Sequence, residues 1–116
     1  RCLQSQTPQS FLAQVEQGAA LVCEVLASGG KVLTIGNGGS ATDAAHLAEE
    51  LSGRYRGNRP ALAGLSLAAD GAALTCIAND FGFEEVFARQ VRALGRPGDL
   101  LVAFTTSGRS ENINRA

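Results

Sequence analysis

The sequence predicts an α/β fold, a three-layer αβα sandwich around a parallel sheet. Three short apolar runs alternate along the chain with segments whose apolar residues recur at helical spacing. Strands that alternate with helices pair in parallel, and helices then cover both faces of the sheet. The chain has 116 residues, of which 45% are hydrophobic, and a formal net charge of −1. This length and composition are typical of one globular domain.

The first half of the chain predicts a helix, a strand and a second helix. Residues 9–28 place apolar side chains at spacings of three and four, and two glycines follow. The run KVLTIG at residues 31–36 is short, apolar and β-branched, as in a buried strand. Ser40, with Asp43 three residues later as a variant capping box, predicts a helix that runs to about Tyr55.

The second half predicts two further strands and the helices between them. The apolar run at residues 61–68 predicts the second strand, and a helix follows from near Asp70. Helical spacing within residues 83–94 predicts another helix. Residues 100–104, LLVAF, predict the third strand. The chain ends at Ala116, within the first turns of one more predicted helix.

Composition argues against several partners. A net charge near zero provides no electrostatic attraction for nucleic acid, and Arg54, Arg56 and Arg59 stand close to two glutamates. No apolar run approaches the roughly 18 residues of a membrane span, and residues 1–10 lack the pattern of a signal peptide. We therefore expect a cytoplasmic protein that binds neither nucleic acid nor membrane.

Three cysteines occur at wide spacing, Cys2, Cys23 and Cys76. An odd number at this spacing suits neither a disulfide framework nor a zinc knuckle. We expect reduced thiols, two of them buried. The chain also contains no Met and begins at Arg1, and we expect it to be a fragment.

A glycine-rich turn, residues 36–40, connects the first strand to the second helix. Backbone N–H groups and the helix dipole favour a bound anion at such a turn, and glycine lets the backbone approach a ligand. One alternative is structural, because a tight turn needs glycine in any case. Another is a dinucleotide site, because Gly36, Gly38 and Ala41 fit G-x-G-x-x-A. Asp70 would then be the candidate ribose partner.

A hydroxyl loop follows the third strand. Its four hydroxyl side chains lie within six residues: Thr105, Thr106, Ser107 and Ser110. At the carboxyl edge of a strand, where a helix begins, hydroxyl and N–H groups can all point at one phosphate. Ser and Thr also favour such positions because they make local hydrogen bonds. A dinucleotide site has no evident use for this loop, so the two segments together favour phosphate binding.

His46 and Glu50 lie four residues apart and therefore share one face of the second predicted helix, with Arg54 on the same line. A Glu there can remove a proton α to a carbonyl, and a His–Glu pair can supply two metal ligands. The alternative is a solvated face on which Glu49 or Glu50 pairs with Arg54. His46 is the only histidine in the sequence, so these residues alone cannot complete a zinc site.

Three blocks of this sequence resemble the phosphoheptose isomerase branch of the sugar isomerase (SIS) domain family. They are GNGGSATDAAHLAEELSGRYRGNRP, IANDFGFEEVF and GDLLVAFTTSGRSEN, in that order. The similarity extends from about residue 31 to residue 116. We accordingly expect an N-terminal helix over residues 1–30 and the N-terminal portion of a SIS domain over residues 31–116. The resemblance implies a five-stranded parallel sheet and a homotetramer with active sites between subunits.

The resemblance also implies a reaction and its site. Sedoheptulose 7-phosphate and D-glycero-D-manno-heptose 7-phosphate interconvert through an enediol, which supplies heptose for lipopolysaccharide or related glycans. Glu50 and His46 would be catalytic, and both match zinc ligands. The substrate contacts would be Asn37, Gly38, Gly39, Ser40, Glu50, Asn79, Asp80, Thr105, Thr106, Ser107 and Ser110. Thr105 stands where the family usually has Ser. The resemblance also implies a late helix with a Gln and a His beyond Ala116, so we expect this chain to lack the C-terminal part of its domain and to be inactive alone.

Two other functions are alternatives. One is a non-catalytic member of the same family that binds a replication-initiator protein. Such relatives lack the Glu, whereas residues 48–51 read AEEL here, which favours the enzyme. The other is a dinucleotide-binding oxidoreductase, for which the hydroxyl loop offers no support.

Overall fold

The computed structural model describes residues 8–116, which form a three-stranded sheet with helices on both faces. The elements are α1 (Pro8–Ala27), β1 (Val32–Gly36), α2 (Gly39–Ser52), β2 (Gly64–Ser66), α3 (Gly71–Phe81), a 3₁₀ helix (Phe83–Glu85), α4 (Ala88–Leu94), β3 (Leu100–Phe104) and α5 (Glu111–Asn114). All three predicted strands and their alternation with helices are confirmed.

The sheet is parallel, in the order β2-β1-β3. The central strand β1 is buried along its whole length, whereas both edge strands are partly exposed. Gly36 is in register with Phe104, so β1 and β3 end side by side. The glycine-rich turn and the hydroxyl loop therefore leave the sheet at the same carboxyl edge, which is where ligands bind in open α/β sheets.

Alternate residues of β1 point into two different layers. Leu33 and Ile35 belong to a buried cluster that includes Phe87, on the face covered by α3, α4 and α5. On the opposite face, the Thr34 hydroxyl donates a hydrogen bond to the Ala44 carbonyl of α2 at 2.7 Å. The predicted three-layer sandwich is thus confirmed.

The start of α2 differs from the prediction. The helix begins at Gly39 with Gly38 as its N-cap residue, and no side chain in the described part of the sequence caps it. Ser40 therefore lies inside the first turn, and the predicted Ser40–Asp43 capping box is wrong. The cause is the tightness of the turn, in which the Ser40 backbone packs directly on Gly36.

The end of α2 also differs, because the helix ends at Ser52 and not near Tyr55. Gly53 follows, and the Arg59 guanidinium donates hydrogen bonds to the carbonyls of Glu50 and Leu51. These bonds satisfy carbonyl groups that the last turn leaves without helical partners. Arg54 therefore does not continue the line of His46 and Glu50, and its guanidinium donates to Asn58 instead.

Two smaller expectations are also wrong. The helix predicted over residues 83–94 is divided into the 3₁₀ helix and α4, because Val86 and Phe87 between them turn into the core. Cys23 and Cys76 are both exposed thiols, since each lies on the outer side of a helix that buries few side chains. Cys2 lies outside the described residues.

The helix α1 matches its prediction to within one residue at each end. Its apolar stripe nevertheless remains accessible, with Phe11 43%, Leu12 58% and Val15 52% exposed. Between residues 8 and 116 no helix has the combination of length and hydropathy that crossing a bilayer demands.

Asp99 links the start of β1 to the turn before β3 through an ion pair and hydrogen bonds. Its carboxylate forms an ion pair with Lys31 and accepts hydrogen bonds from the Lys31 backbone N–H at 3.0 Å and the Arg96 backbone N–H at 2.7 Å. The Lys31 hydrogen bonds are the main reason that the pKa of Asp99 falls from 3.8 to about 2.

This lowered pKa predicts an acid-sensitive stabilisation. A carboxyl group with a depressed folded-state pKa stabilises the fold above its unfolded pKa of 3.8, and the effect is lost as the pH falls towards about 2. The variant Asp99→Asn should have a lower Tm than the wild type at about pH 6, with a difference that shrinks towards about pH 2. Thermal unfolding followed by circular dichroism tests this, and a difference that stays constant with pH would contradict it.

Candidate active site

The structural requirement for glycine differs among the three glycines of the turn after β1. A Cβ at Gly36 would lie 2.8 Å from the Ala41 nitrogen and closer still to the Ser40 carbonyl. Gly38 has a φ of 55° and a ψ of −123°, a conformation open only to glycine in practice. Gly39 has neither constraint, since a Cβ there would meet no atom of the described residues within 4 Å. The structural need for glycine in a tight turn therefore explains Gly36 and Gly38 but not Gly39.

His46 and Glu50 face each other on α2, as their spacing predicts. The His46 Nε2 and Glu50 Oε1 atoms are 3.1 Å apart. The other carboxylate oxygen of Glu50, Oε2, is buried and has no hydrogen-bond partner within the described part of the chain. A buried carboxylate oxygen without a partner is costly and suggests that something else binds it.

The His46–Glu50 pair borders an open cavity of about 390 Å³. Its lining residues come from α2, the loop after it and the end of β3: Asp43, His46, Leu47, Glu50, Tyr55 and Phe104. Phe104 is the last residue of β3, so this cavity opens at the carboxyl edge of the sheet. The position suits a base that acts on a ligand held at that edge.

The residues around Glu50 also fit a zinc ion. Ligand atoms of His46, Glu49 and Glu50 all lie within 4.8 Å of one another. Tetrahedral zinc with ligand distances of 2.0–2.1 Å places two ligands about 3.3 Å apart, close to the 3.1 Å between His46 and Glu50. Sequence reasoning named His46 and Glu50 as metal ligands but not Glu49, although its place three residues after His46 is a signal for it.

In the hydroxyl loop, two of the four hydroxyl groups serve the loop itself. Thr105 Oγ1 accepts a hydrogen bond from the Gly108 N–H at 3.0 Å, and Ser107 Oγ accepts one from the Arg109 N–H at 3.2 Å. Hydrogen bonding within the loop, the alternative to phosphate binding, therefore applies to these two residues. Thr106 is exposed. Ser110 is half-buried at the N-cap position of α5, and within residues 8–116 its side chain makes no capping hydrogen bond.

The glycine-rich turn and the hydroxyl loop meet at a second cavity. It has a volume of about 420 Å³, and its lining residues are Asn37, Phe83, Glu84, Ser110, Glu111, Asn112 and Arg115. Two of the predicted substrate residues, Asn37 and Ser110, are thus brought to one cavity from distant parts of the chain. Sequence reasoning missed Asn112, whose only signal was an amide side chain in a short helix after the hydroxyl cluster.

Two further predicted substrate residues, Asn79 and Asp80, line neither cavity. Asn79 and Asp80 are exposed in the last turn of α3, where the Asn79 amide donates to the Asp80 carboxylate at 2.8 Å. Their role in substrate binding stays a prediction. Asp70 caps α3, since its carboxylate accepts from the N–H groups of Ala72 and Ala73. In a dinucleotide site Asp70 would be the ribose partner. The capping role explains this residue without such a site.

Comparison with known proteins agrees with the fold and with these motifs. The model of the SIS domain family matches residues 3–116. The chain belongs to this family. The match lies on both sides of residue 30, so a division of the SIS domain from an N-terminal helix at that point stays a prediction.

Among curated relatives, the SIS-domain chain is similar to proteins named phosphoheptose isomerase. It is 54% identical over 103 residues to the one from Thiobacillus denitrificans, covering 89% of this chain and 52% of the relative. It is 51% identical over 112 residues to one from Campylobacter jejuni, covering 97% of this chain and 60% of the relative. The chain spans about half the length of the curated relatives it matches.

Solved structures show the same relationship. Phosphoheptose isomerase GmhA from Neisseria gonorrhoeae superposes with a TM-score of 0.79 at 49% identity, covering 85% of this chain and 50% of that protein. A phosphoheptose isomerase from Francisella tularensis superposes with a TM-score of 0.84 at 39% identity, covering 95% and 56%. The resemblance of the three sequence blocks is confirmed.

Proposed function

We propose that the protein carrying this chain is a phosphoheptose isomerase. It interconverts sedoheptulose 7-phosphate and D-glycero-D-manno-heptose 7-phosphate through an enediol, and so supplies heptose for lipopolysaccharide or related glycans. The observation that carries the proposal is the His46–Glu50 pair at the carboxyl edge of the sheet, with a buried oxygen that has no partner among residues 8–116. The similarity to proteins named phosphoheptose isomerase supports it.

In this proposal Glu50 is the base. An aldose–ketose shift requires a proton to leave the carbon beside the carbonyl and to return to the neighbouring carbon. His46 contacts one carboxylate oxygen of Glu50, which restricts the side chain, and within the described residues no hydrogen bond engages the other oxygen. A carboxylate held in one orientation needs little reorganisation when the proton moves.

Zinc is the proposed cofactor. His46 and Glu50 would hold it, with Glu49 within reach as a third ligand. When bound, zinc supplies an electrophile that stabilises negative charge on an enediolate oxygen.

The substrate phosphate is proposed to bind between the two loops. Backbone N–H groups at Gly38, Gly39 and Ser40 precede α2, a helix of 14 residues whose N-terminus favours an anion. Hydroxyl groups of Thr105, Thr106, Ser107 and Ser110 would complete the phosphate contacts, and Asn37, Asn79 and Asp80 would contact sugar hydroxyl groups. Binding energy from the phosphate then serves to position the reacting carbons.

The direct test is to incubate the whole protein with sedoheptulose 7-phosphate in deuterated water. We expect heptose 7-phosphate to form, with deuterium at the carbon beside the carbonyl, because a single base exchanges its proton with solvent. Absence of turnover in a folded protein supplied with zinc would contradict the proposal.

Replacing both Ser107 and Ser110 by Ala is expected to weaken binding of the phosphorylated sugar by about 1–3 kcal/mol, because hydrogen bonds to a charged group are lost. Binding of unphosphorylated sedoheptulose should hardly change. Calorimetry with both sugars makes the comparison, and equal losses for the two ligands would rule out a phosphate contact.

We also propose that the protein is a cytoplasmic homotetramer. The apolar stripe of α1, with Phe11, Leu12 and Val15 exposed, supports association with further copies. A substitution such as Leu12→Glu in the whole protein should reduce the oligomeric state, as measured by analytical ultracentrifugation.

A further inference from the structure

Asn112 is a buried amide that makes two hydrogen bonds to the glycine-rich turn. Only 2% of the residue is exposed. The Asn37 Nδ2 group donates to Asn112 Oδ1 at 2.9 Å, and the Asn112 Nδ2 group donates to Asn37 Oδ1 at 2.8 Å. The two carboxamides therefore form a closed, reciprocal pair that joins segments 75 residues apart in sequence.

Asn112 stands on an element that is held in place independently of this pair. Its neighbour Ile113 is part of the buried cluster. Directly after α5, the Arg115 guanidinium contacts the Glu85 carboxylate at 3.1 Å, and Glu85 is also paired with Arg92. Because these contacts fix α5, the amide pair positions Asn37 relative to α5, and α5 does not depend on the pair for its own position.

The pair leaves part of Asn37 available to a ligand. A carboxamide has two donor hydrogens and two acceptor lone pairs. The reciprocal pair uses one of each, and Asn37 lines the cavity of about 420 Å³ with Ser110. The remaining donor and acceptor of Asn37 are thereby held in one plane at the edge of that cavity.

We propose that Asn112 is a positioning residue for substrate binding: it holds the Asn37 carboxamide in one orientation and fixes the glycine-rich turn relative to the hydroxyl loop. The inference rests on the proposed function for its ligand, a phosphorylated sugar that spans the two loops. Asn112 itself contacts Asn37 and need not contact the reacting atoms.

The variant Asn112→Asp tests this through pH. When ionised, the introduced carboxylate would place a second acceptor against Asn37 Oδ1, whereas its protonated form donates there and restores the pair. Burial raises the pKa of the introduced carboxyl group, as do Glu84 and Glu111 on the same cavity, while Arg115 opposes them. The pair should therefore re-form in mild acid.

Relative to the wild type at the same pH, kcat/KM for sedoheptulose 7-phosphate should fall at least about tenfold near pH 8 and return to within about threefold near pH 5.5. Asn114→Asp is the matched control, because Asn114 is exposed on the same helix. Its ratio to the wild type should not vary with pH. If the ratio of kcat/KM between Asn112→Asp and the wild type is also independent of pH, in protein that stays folded, the inference is overturned.

A second measurement is independent of catalysis. In NMR spectra of the unliganded whole protein, the Asn37 side-chain amide protons should exchange slowly with solvent in the wild type and in Asn114→Asp. They should exchange at least about tenfold faster in Asn112→Asp near pH 8, after correction for the intrinsic pH dependence of exchange. Unchanged protection would overturn the inference. If the wild type shows this protection but no isomerase activity, the proposed function fails while the amide pair stands.

If Asn112→Asp does not fold at any pH, Asn112→Ser carries both measurements, since its shorter side chain cannot reach both atoms of Asn37. The expected result is again loss of amide protection together with a lower kcat/KM. Full activity in a folded Asn112→Ser protein would overturn the inference.

Discussion

Replacing Glu50 by Gln is expected to lower kcat for the isomerisation by at least about 10²-fold while KM changes little. Gln keeps the size and nearly the shape of Glu but cannot accept the proton that the enediol route removes. The structure gives the carboxylate one oxygen against His46 and one buried oxygen without a partner in the described part of the chain. The second oxygen is the one that would take the proton.

Steady-state kinetics on the whole protein, with sedoheptulose 7-phosphate as substrate, make the measurement. Glu24→Gln is the matched control, an exposed glutamate on α1 whose replacement should leave kcat unchanged. Bound zinc should be quantified in both variants, because loss of the metal is a second route to low activity. If kcat is unaltered in Glu50→Gln, Glu50 is not the base.

The second large effect concerns stability. Gly36→Ala is expected to destabilise the fold by about 3 kcal/mol, in the range of substitutions that force backbone to move. The added Cβ would overlap the backbone of Ser40 and Ala41. This contact lies between β1, buried along its whole length, and the first turn of α2, so neither side can shift without disturbing the central layer.

Gly39→Ala is the matched control for Gly36→Ala. It adds the same methyl group three residues later, where no atom of the structurally described part of the chain lies within 4 Å. Ala also favours a helix more than Gly by up to about 1 kcal/mol. Denaturant unfolding should show a loss for the first variant and no loss for the second. An equal loss in both variants would mean that crowding by the added methyl group is not the cause, and no loss in Gly36→Ala would mean that the crowding is relieved by local movement.

Local sequence patterns were enough to predict the strands of this protein and the placement of the His46–Glu50 pair. The apolar runs located all three strands, because a buried parallel strand must be apolar on both faces. Spacing alone placed His46 and Glu50 on one face, because four residues are close to one helical turn. These features depend on neighbours within a few positions, so no knowledge of the rest of the chain was needed.

Features that depend on distant contacts were not predictable. The end of α2 is set by Arg59 bonding to helix carbonyls, and its start by the packing of Ser40 on Gly36, so the predicted capping box and helix length were wrong. The division of the helix before β3 follows from Val86 and Phe87 turning into the core, which helical periodicity does not encode.

Sequence by itself determined the fold class, the order of strands and helices along the chain, and the residue types at the carboxyl edge of the sheet. Only the tertiary structure decided which of those residues meet. The register of β1 with β3 brings Asn37 and Ser110 to one cavity and pairs Asn37 with Asn112, 75 residues away. It leaves Asn79 and Asp80 outside both cavities. The physical reason is that hydrogen bonding between strands and packing between layers, both long-range in sequence, determine these distances.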